Sequence, residues 1–310
     1  MSSQDEPTTH TSTLQRVGMV AIVGRANVGK STLINGLLRE KVSIVSPISQ
    51  TTRTLIRGIH TEERGQIAFL DTPGVHRAQS SLGKIMNRIA RTSIEGVDAI
   101  LFVLDGSVQP HIEDRGWIRR LLRDGTPVVA VFNKSDRKSD FSQDYILIWQ
   151  ETAIECGGDQ DLDWLRISAL QGSGTDALMS RLFERMPSGP FLFPEDVLTD
   201  FPKKLAIGDI IREKYFLTLK QELPHSIAIW VEDVEEAEER WDVHVVIYVE
   251  RHSQKGIIIG HKGRLLRRVK RSAEAELSEI YGLRIRLNLF VKIEKNWSKN
   301  FWFLKKLGYA

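Results

Sequence analysis

The sequence predicts an α/β fold with a mostly parallel sheet and helices on both faces, followed by a smaller α+β module. From Val17 to about Met186, the apolar runs GMVAIV, QIAFLD, AILFVLD and PVVAVFN occur among helix-length segments. Such alternation is typical of a parallel sheet that is covered on both faces. Leu55–His60 and Gln66–Leu70 flank the turn-like Glu63-Arg64-Gly65, which predicts one antiparallel edge hairpin.

The segment Pro187–Pro202 contains four prolines and shows no periodicity, so we interpret it as a linker. The pattern after it predicts, in order, a helix, two strands, a glycine-interrupted turn, a basic helix and a strand. Their predicted bounds are Leu205–Gln221, Ser226–Val234, Trp241–Glu250, Arg264–Tyr281 and Arg284–Ile293. We therefore divide the chain into a disordered lead-in (1–16), a first domain (17–187), the linker (188–203), a second domain (204–294) and a terminal helix (295–310).

Composition limits the class of protein. Of the 310 residues, 41% are apolar and 27% are charged, which is typical of a globular chain. No stretch approaches the roughly 20 uncharged apolar residues that a membrane span needs. Cys156 is the only cysteine, so an internal disulfide is excluded and a reducing, cytoplasmic compartment is expected.

Charge is segregated along the chain, although the formal net charge is only +3. Residues 251–310 contain 15 Lys and Arg against 4 Asp and Glu, which gives +11. Residues 195–250 contain 6 against 14, which gives −8. The concentration of basic residues in 251–310 indicates a polyanionic partner.

The P-loop pattern G-x-x-x-x-G-K-S lies between the first strand and the first helix, and it predicts a phosphate site. Its residues are Gly24, Arg25, Ala26, Asn27, Val28, Gly29, Lys30 and Ser31. Such a loop turns its N–H groups toward phosphate oxygens, and the helix that follows adds its positive dipole end. Lys30 can reach the β- and γ-phosphates, and Ser31 can ligate Mg²⁺.

A carboxylate ends the strand QIAFLD, in the segment Asp71, Thr72, Pro73 and Gly74. We expect the Asp71 carboxylate to lie beside the metal and the Gly74 amide to bond the γ-phosphate. A hydroxyl of Thr51 or Thr52 can complete the Mg²⁺ shell, and Thr52 is favoured.

The base is selected by Asn133, Lys134, Ser135 and Asp136, which follow the strand VVAVF. A carboxylate accepts two hydrogen bonds and guanine offers two adjacent donors, whereas adenine offers no such pair. Asp136 therefore selects guanine, and rejection is strong where polar groups would be left unpaired. We expect a backbone N–H of Ser168-Ala169 to close over the guanine carbonyl.

The hydrolytic machinery lacks one usual part. Val75 follows Gly74 at the position where Ras-type GTPases carry a water-positioning glutamine. Either another group positions the attacking water, or intrinsic GTP hydrolysis is slow. We expect Lys30, Asn27 and Thr52 to be catalytic, with the side-chain carbonyl of Asn27 helping to hold K⁺ near the bridging oxygens of GTP. The alternative is that Asn27 only hydrogen-bonds within its own turn.

A second motif, Gly260-His261-Lys262-Gly263, precedes a run of cations: Arg264, Arg267, Arg268, Lys270 and Arg271. A G-x-x-G loop between helices lets a nucleic-acid backbone approach closely, and the KH module clamps single-stranded segments in this way. The order of elements around it fits the α-β-β-α-α-β (type II) version. A solvated basic helix is the alternative. Three roles stay open for Trp297, Phe301, Trp302 and Phe303: stacking on bases, insertion at a membrane interface, or docking of a terminal helix.

Together these segments resemble the Era family of bacterial GTPases, from about Gly18 to Phe303. The similarity rests on GRANVGKST, QTTR, DTPGVH, NKSD, TDFPKK, IIREK at Ile210–Lys214, ELPHS at Glu222–Ser226, and SQKGIIIGHKG. The chain departs from the family pattern in its longer lead-in and in an acidic stretch around Ile154–Asp163, which leaves the helix before Ser168 undecided.

The resemblance implies a P-loop GTPase domain followed by a type II KH domain. GTP or GDP with Mg²⁺ would be bound by Gly24–Ser31, Asp71–Val75 and Asn133–Asp136. The KH domain would bind the 3′ end of 16S ribosomal RNA during assembly and maturation of the 30S subunit. Peripheral association with the inner membrane is also implied, and no obligate oligomer is predicted. A metabolic NTPase or a GTPase acting only on proteins would instead lack RNA binding by residues 204–310.

Overall fold

The computed structural model describes residues 15–46, 51–74, 81–159, 161–219 and 226–309, and the structural statements below concern these residues. The first domain contains a six-stranded sheet in the order β2-β3-β1-β4-β5-β6. Its strands are β1 (Arg16–Val23), β2 (Ile56–Glu62), β3 (Gly65–Asp71), β4 (Ala99–Asp105), β5 (Val128–Asn133) and β6 (Trp164–Arg166). All neighbours are parallel except β2 and β3, which confirms the antiparallel edge hairpin.

Helices cover both faces of this sheet, as predicted. They are α1 (Lys30–Leu38), α2 (Ser81–Thr92), α3 (Ile112–Asp124), α4 (Ser142–Cys156) and α5 (Thr175–Arg185). One apolar core joins the sheet to α1 and α5, and a second joins it to α2, α3 and α4. The helix that the sequence left undecided, α4, ends at Cys156 because Gly157 adopts a φ of 69°.

The second domain contains a three-stranded sheet with helices packed on one face. Its elements are α6 (Lys203–Thr218), β7 (Ile227–Glu236), β8 (Arg240–Val249), α7 (His252–Ile259), α8 (Arg264–Tyr281) and β9 (Arg284–Ile293). β7 and β8 are antiparallel, whereas β8 and β9 are parallel. This is the predicted α-β-β-α-α-β order. The predicted end of the first helix at Gln221 is wrong: α6 ends at Thr218, because Leu219 has an extended backbone. Most of the ELPHS segment lies outside the described residues.

The C-terminal segment differs from the expected single helix. A 3₁₀ turn at Trp297–Lys299 precedes a short helix, α9 (Phe301–Lys306). The break occurs because Asn300 has an extended backbone and its side chain caps the second piece by accepting a hydrogen bond from the Phe303 N–H.

The two domains pack against each other across the second face of the smaller sheet. Leu82 and Met86 of α2 share one apolar cluster with Val246 of β8 and with Trp297 and Leu304 of the C-terminal segment. The same helix, α2, thereby contacts the first sheet and the second domain.

Candidate functional site

The P-loop closes tightly between β1 and α1. Gly24 and Gly29 have φ values of 148° and 102°, and Asn27 has a φ of 64°. A Cβ atom at Gly29 would lie 2.3 Å from Asn133 Nδ2, so this position requires glycine. The loop borders an open cavity of about 600 Å³, whose lining includes Ala26, Asn27, Lys30, Ser31, Thr52, Gly74 and Lys134. The structure thus brings together the separate motifs of the predicted nucleotide site.

Lys30 is buried at the start of α1, where its ammonium group donates to the Gly24 carbonyl at 3.0 Å and to the Arg25 carbonyl at 2.9 Å. Burial lowers the pKa of Lys30 to about 8, and the nearby carboxylates of Asp71 and Asp114 oppose this shift. An anionic phosphate beside the ammonium group would favour its charged form.

Oxygen ligands suited to a divalent cation converge on Asp71. The Ser31 hydroxyl donates to Asp71 Oδ2 at 2.9 Å and lies 2.9 Å from the Thr52 hydroxyl. The Ser43 hydroxyl, which the sequence did not single out, also donates to Asp71 Oδ2, at 2.7 Å. Asp71 Oδ1 is buried and has no hydrogen-bond partner among the described residues. Burial raises the pKa of the Asp71 carboxyl, against the opposing effect of Lys30 and the hydroxyl donors.

This donor set fits Mg²⁺. Among the described residues, no group of three or more His, Cys, Asp or Glu could hold a metal. Magnesium in nucleotide sites is commonly held by one or two carboxylates together with substrate phosphates, so a single aspartate with two hydroxyls is the expected chemistry. Of the two candidate threonines, Thr52 is buried with its hydroxyl toward Ser31, whereas the Thr51 carbonyl accepts from Arg212.

Gly74 lies directly against the P-loop. A Cβ atom at Gly74 would come within 2.6 Å of Ala26 Cα, so only glycine fits there. The Thr72 hydroxyl donates to the Ile22 carbonyl at 2.8 Å, which anchors the start of this segment to β1. Pro73 lies between them, and Val75 lies outside the described residues.

The base-selecting segment is fastened to the P-loop by two side chains. Asn133 donates from Nδ2 to the Val28 carbonyl at 2.8 Å, and its Oδ1 accepts from the Ala169 N–H at 2.9 Å. Lys134 donates to the Asn27 carbonyl at 2.7 Å and to Asp105 Oδ2 at 2.6 Å. The sequence did not identify this role of Asp105, because no motif marks it.

Asp136, which follows Ser135 at the exposed rim, accepts a hydrogen bond from the buried Ser168 hydroxyl. The two backbone N–H groups that were expected to contact guanine both have hydrogen-bond partners within the protein. The Ser168 N–H bonds the Ser173 carbonyl at 3.0 Å, and the Ala169 N–H is taken by Asn133. Both donors are therefore engaged, so a contact from either to guanine requires one of these bonds to be shared or exchanged. Leu170, which is 78% exposed, also lines the cavity.

The G-x-x-G loop projects from the junction of α7 and α8. Gly260 and Gly263 have φ values of 73° and 74°, and a Cβ atom at Gly260 would lie 2.7 Å from Leu265 Cβ. His261 and Lys262 between them are exposed. The two glycines therefore hold a turn whose tip consists of two polar, accessible residues.

A face of exposed arginines continues from this loop along α8. Arg264, Arg267, Arg268 and Arg271 are exposed and have the spacing of one helix face. Arg267 also donates to the Lys262 carbonyl at 2.7 Å, which ties the face to the loop. Lys270 is only partly exposed and lies 3.7 Å from Glu274, so it belongs less clearly to this face.

The terminal aromatic residues divide into two groups. Trp297 is fully buried and donates from its indole N–H to the Ser226 carbonyl at 3.1 Å, and the Phe303 ring packs edge-on against Tyr248. These contacts support the docking interpretation. Phe301 and Trp302 remain 57% and 74% exposed. In the described chain, no helix combines the length and apolar character needed to cross a membrane.

The fold and the sites define a P-loop GTPase with an appended KH module. Residues 19–134 match the family described as 50S ribosome-binding GTPase, and residues 222–298 match the KH domain family. GTPase Era of Crocosphaera subtropica is 40% identical over 292 residues, which cover 94% of this chain and 92% of that protein. GTPase Era of Thermoanaerobacter sp. is 40% identical over 298 residues, covering 95% and 97%.

Two solved Era structures are similar to this chain over nearly its whole length. A Tyr-to-Ala variant of Aquifex aeolicus Era bound to GDP·AlF₄⁻ aligns with a TM-score of 0.88 at 35% identity, covering 96% of this chain and all of that one. Era in complex with MgGDPNP and nucleotides 1506–1542 of 16S ribosomal RNA gives the same TM-score and identity, covering 96% and 99%. The chain belongs to the GTPase Era family, and it is a GTPase.

Proposed function

We propose that this chain is a GTP-dependent switch that binds the 3′ end of 16S ribosomal RNA through its KH module and acts in assembly and maturation of the 30S subunit. The main observation behind this proposal is the exposed G-x-x-G loop with its arginine face, which occurs on the same chain as a complete set of P-loop GTPase motifs. The 35% identical Era structure that holds MgGDPNP together with 16S rRNA nucleotides supports the proposal. The first domain (17–187), linker (188–203), second domain (204–294) and C-terminal segment are proposed as its working units.

In this proposal, the nucleotide is held by the P-loop residues Gly24–Ser31, by Asp71–Val75 and by Asn133–Asp136, with Ser168 and Ala169 beside the base. Ser31, Thr52 and Asp71 hold Mg²⁺, which neutralises charge on the transferred phosphoryl group. Lys30 contributes a buried cation where negative charge grows on the phosphates. The valine at position 75 has no polar group with which to orient water, and we assign the missing assistance to K⁺ held in part by the side-chain carbonyl of Asn27.

The RNA assignment is tested by reversing the charge of the loop tip. We expect the double substitution His261→Asp and Lys262→Asp to reduce affinity for an oligonucleotide of the 16S 3′ end by about 10³-fold or more, to the level of non-specific binding. GDP affinity is expected to stay unchanged, since the loop lies on another domain. Fluorescence anisotropy measures both.

A matched control changes the same residue types away from the loop, at the start of α6 and on β8. Lys203 and His244 pair with Glu236 and Glu235, so changing both to Asp alters net charge equally without touching the loop. In the unaltered chain, four arginine contacts predict a slope of about −3 for log affinity against log salt concentration. Retained affinity in the loop variant, or loss in the control alone, would contradict the assignment.

We further propose a cytoplasmic location with peripheral association at the inner membrane. The supporting observation is the pair of exposed rings of Phe301 and Trp302 beside Lys305 and Lys306, a combination suited to an anionic lipid surface. Vesicle flotation tests this: binding to anionic vesicles should disappear in the variant with both aromatics changed to Ser. Weakened RNA binding in that variant, with unchanged flotation, would instead assign the rings to base stacking.

A further inference from the structure

Thr52 lies between two residues that are each bonded to the second domain. On one side, Arg212 of α6 donates to the Thr51 carbonyl at 2.7 Å. On the other side, the Arg53 guanidinium donates to the Ile227 carbonyl at the start of β7, at 2.9 Å. Both arginines are only 1% exposed. The backbone that carries the Thr52 hydroxyl is therefore held from the KH module on both sides.

Arg212 is itself rigidly held. Its guanidinium lies 2.9 Å from the Asp209 carboxylate and donates to the Tyr309 hydroxyl at 3.1 Å. The Tyr309 ring also contacts the Arg53 guanidinium, which lies 5.6 Å from the ring centroid. A planar guanidinium with several fixed partners sets the position of each group it bonds, which a flexible ammonium group does less well.

The neighbouring residue of α6 holds the other side of the same segment. Glu213 accepts from the Val45 N–H at 2.8 Å and from the Lys41 ammonium at 2.6 Å. Successive residues of one KH helix thus fix the chain before and after residues 47–50.

We propose that Arg212 is a positioning residue for GTP hydrolysis, which acts by fixing the Thr51–Thr52 backbone so that the Thr52 hydroxyl meets the Mg²⁺ site. This inference rests on the proposed role of Thr52. It makes the KH module a structural part of the GTPase site. It also gives a role to a charged side chain in a buried position, where an apolar side chain would have a smaller desolvation cost.

The test uses the full chain with Arg212→Met, which removes the donors and retains an unbranched apolar stem. We expect kcat for GTP hydrolysis to fall about 10- to 100-fold, because small misplacements of a reacting constellation have effects of this size. GDP affinity should stay unchanged. Arg212→Lys, which keeps one donor, should recover part of the rate. Lys203→Met is the control, since Lys203 lies on the same helix but bonds Glu236 and the Trp241 ring within the KH module.

A second readout does not depend on activity. In nucleotide-free protein, Arg212→Met should accelerate hydrogen exchange of amides 51–54 while leaving the P-loop amides unchanged. Faster exchange throughout the first domain would instead show general destabilisation and overturn the inference. So would an unchanged kcat in Arg212→Met.

Thr52→Ala separates this inference from the proposal beneath it. If Thr52→Ala hydrolyses GTP normally, the metal assignment of Thr52 is wrong. If Thr52→Ala is slow and Arg212→Met is normal, only the positioning role is wrong. When Arg212 acts through Thr52, adding Arg212→Met to Thr52→Ala should produce little further loss. If kcat of the double variant instead falls by the product of the two single fold-losses, Arg212 acts by a route that does not involve Thr52.

Discussion

In the proposed nucleotide site, one exposed carboxylate, that of Asp136, selects the base. We predict that Asp136→Asn weakens GTP binding by about 1.5–3 kcal/mol, because a charge-assisted bond to guanine is lost. Preference should move toward xanthosine nucleotides, since xanthine presents a carbonyl that the new amide can bond. Competition between GDP and XDP measures this. Asp140→Asn is the control, because Asp140 pairs with Arg166 at 2.7 Å outside the base site. Unchanged GDP affinity in Asp136→Asn would show that Asp136 does not contact the base.

The role of Asn27 is tested by the choice of monovalent cation. Hydrolysis should be faster in K⁺ than in Na⁺ at equal ionic strength, because an ion near the bridging oxygens stabilises charge that grows in the transition state. Asn27 has a φ of 64°, so Asn27→Gly removes the carboxamide without straining the loop. The K⁺ advantage should vanish in that variant and persist in Asn27→Asp, which keeps an oxygen. Equal rates of the unaltered protein in both salts would exclude the ion.

Individual site residues were predictable where a local motif marks them. The P-loop follows β1, and Asp71 and Asn133 are the last residues of β3 and β5. These positions agree with the prediction, because the carboxyl ends of parallel strands meet at one edge of the sheet. Ser43, Asp105 and the engaged Ser168 and Ala169 amides were not predictable. Their roles depend on which chain segments fold beside each other, and no local spacing encodes that.

At the scale of elements, the bounds of helices and strands were predicted best where the hydrophobic periodicity stops at a residue that commonly ends a helix or strand. The bounds of α8 match the expectation because a glycine with positive φ lies at each end: Gly263 precedes its first residue and Gly282 follows its last. The bounds of β9 also match. The predicted single terminal helix is interrupted because Asn300, a residue type that is preferred at helix N-caps, starts a new helix there. The linker has no helix or strand before α6 begins at Lys203, yet it is bonded to the first domain: the Ile59 N–H donates to the Leu198 carbonyl at 2.8 Å.

Gln66 fixes the middle of that linker. Its fully buried amide donates to the Thr61 hydroxyl at 3.0 Å and to the Phe193 carbonyl at 2.9 Å, and its Oε1 accepts from the Leu192 and Phe193 N–H groups at 2.9 Å. These four bonds use every donor and acceptor of the side chain.

We predict that Gln66→Leu lowers the free energy of unfolding by about 1–3 kcal/mol, because it leaves backbone groups of the linker without partners. The linker should also become more sensitive to proteolysis near residues 190–194. Urea unfolding and limited proteolysis measure the two effects. Gln143→Leu, at an exposed position of α4, is the matched control and should change neither. Equal stability of the two variants would mean that the linker is held elsewhere.

At the scale of the whole molecule, the two domains share buried surface. Domains in one chain move relative to each other unless their interface is large and apolar. Here Met86 of α2 is fully buried in the cluster that it shares with Val246 and Trp297, and the buried arginines Arg53 and Arg212 cross the same boundary. A ligand that binds only the first domain should therefore also stabilise the second.

GDP at about 100 times its Kd adds about 2.7 kcal/mol to the stability of the state that binds it. We predict that GDP at this concentration also slows hydrogen exchange of the β7 and β8 amides. Met86→Ser should reduce this protection of β7 and β8 by GDP. The substitution removes apolar contact and places a hydroxyl in the buried cluster, so the second domain can open while the first stays folded. Met179→Ser is the matched control: Met179 is buried in the core of the first domain, in the cluster formed with α1 and α5. That variant should lower stability while the GDP effect still reaches β8. If GDP never protects β8 in the unaltered chain, the domains open independently, and the buried cluster joins them without coupling their stabilities.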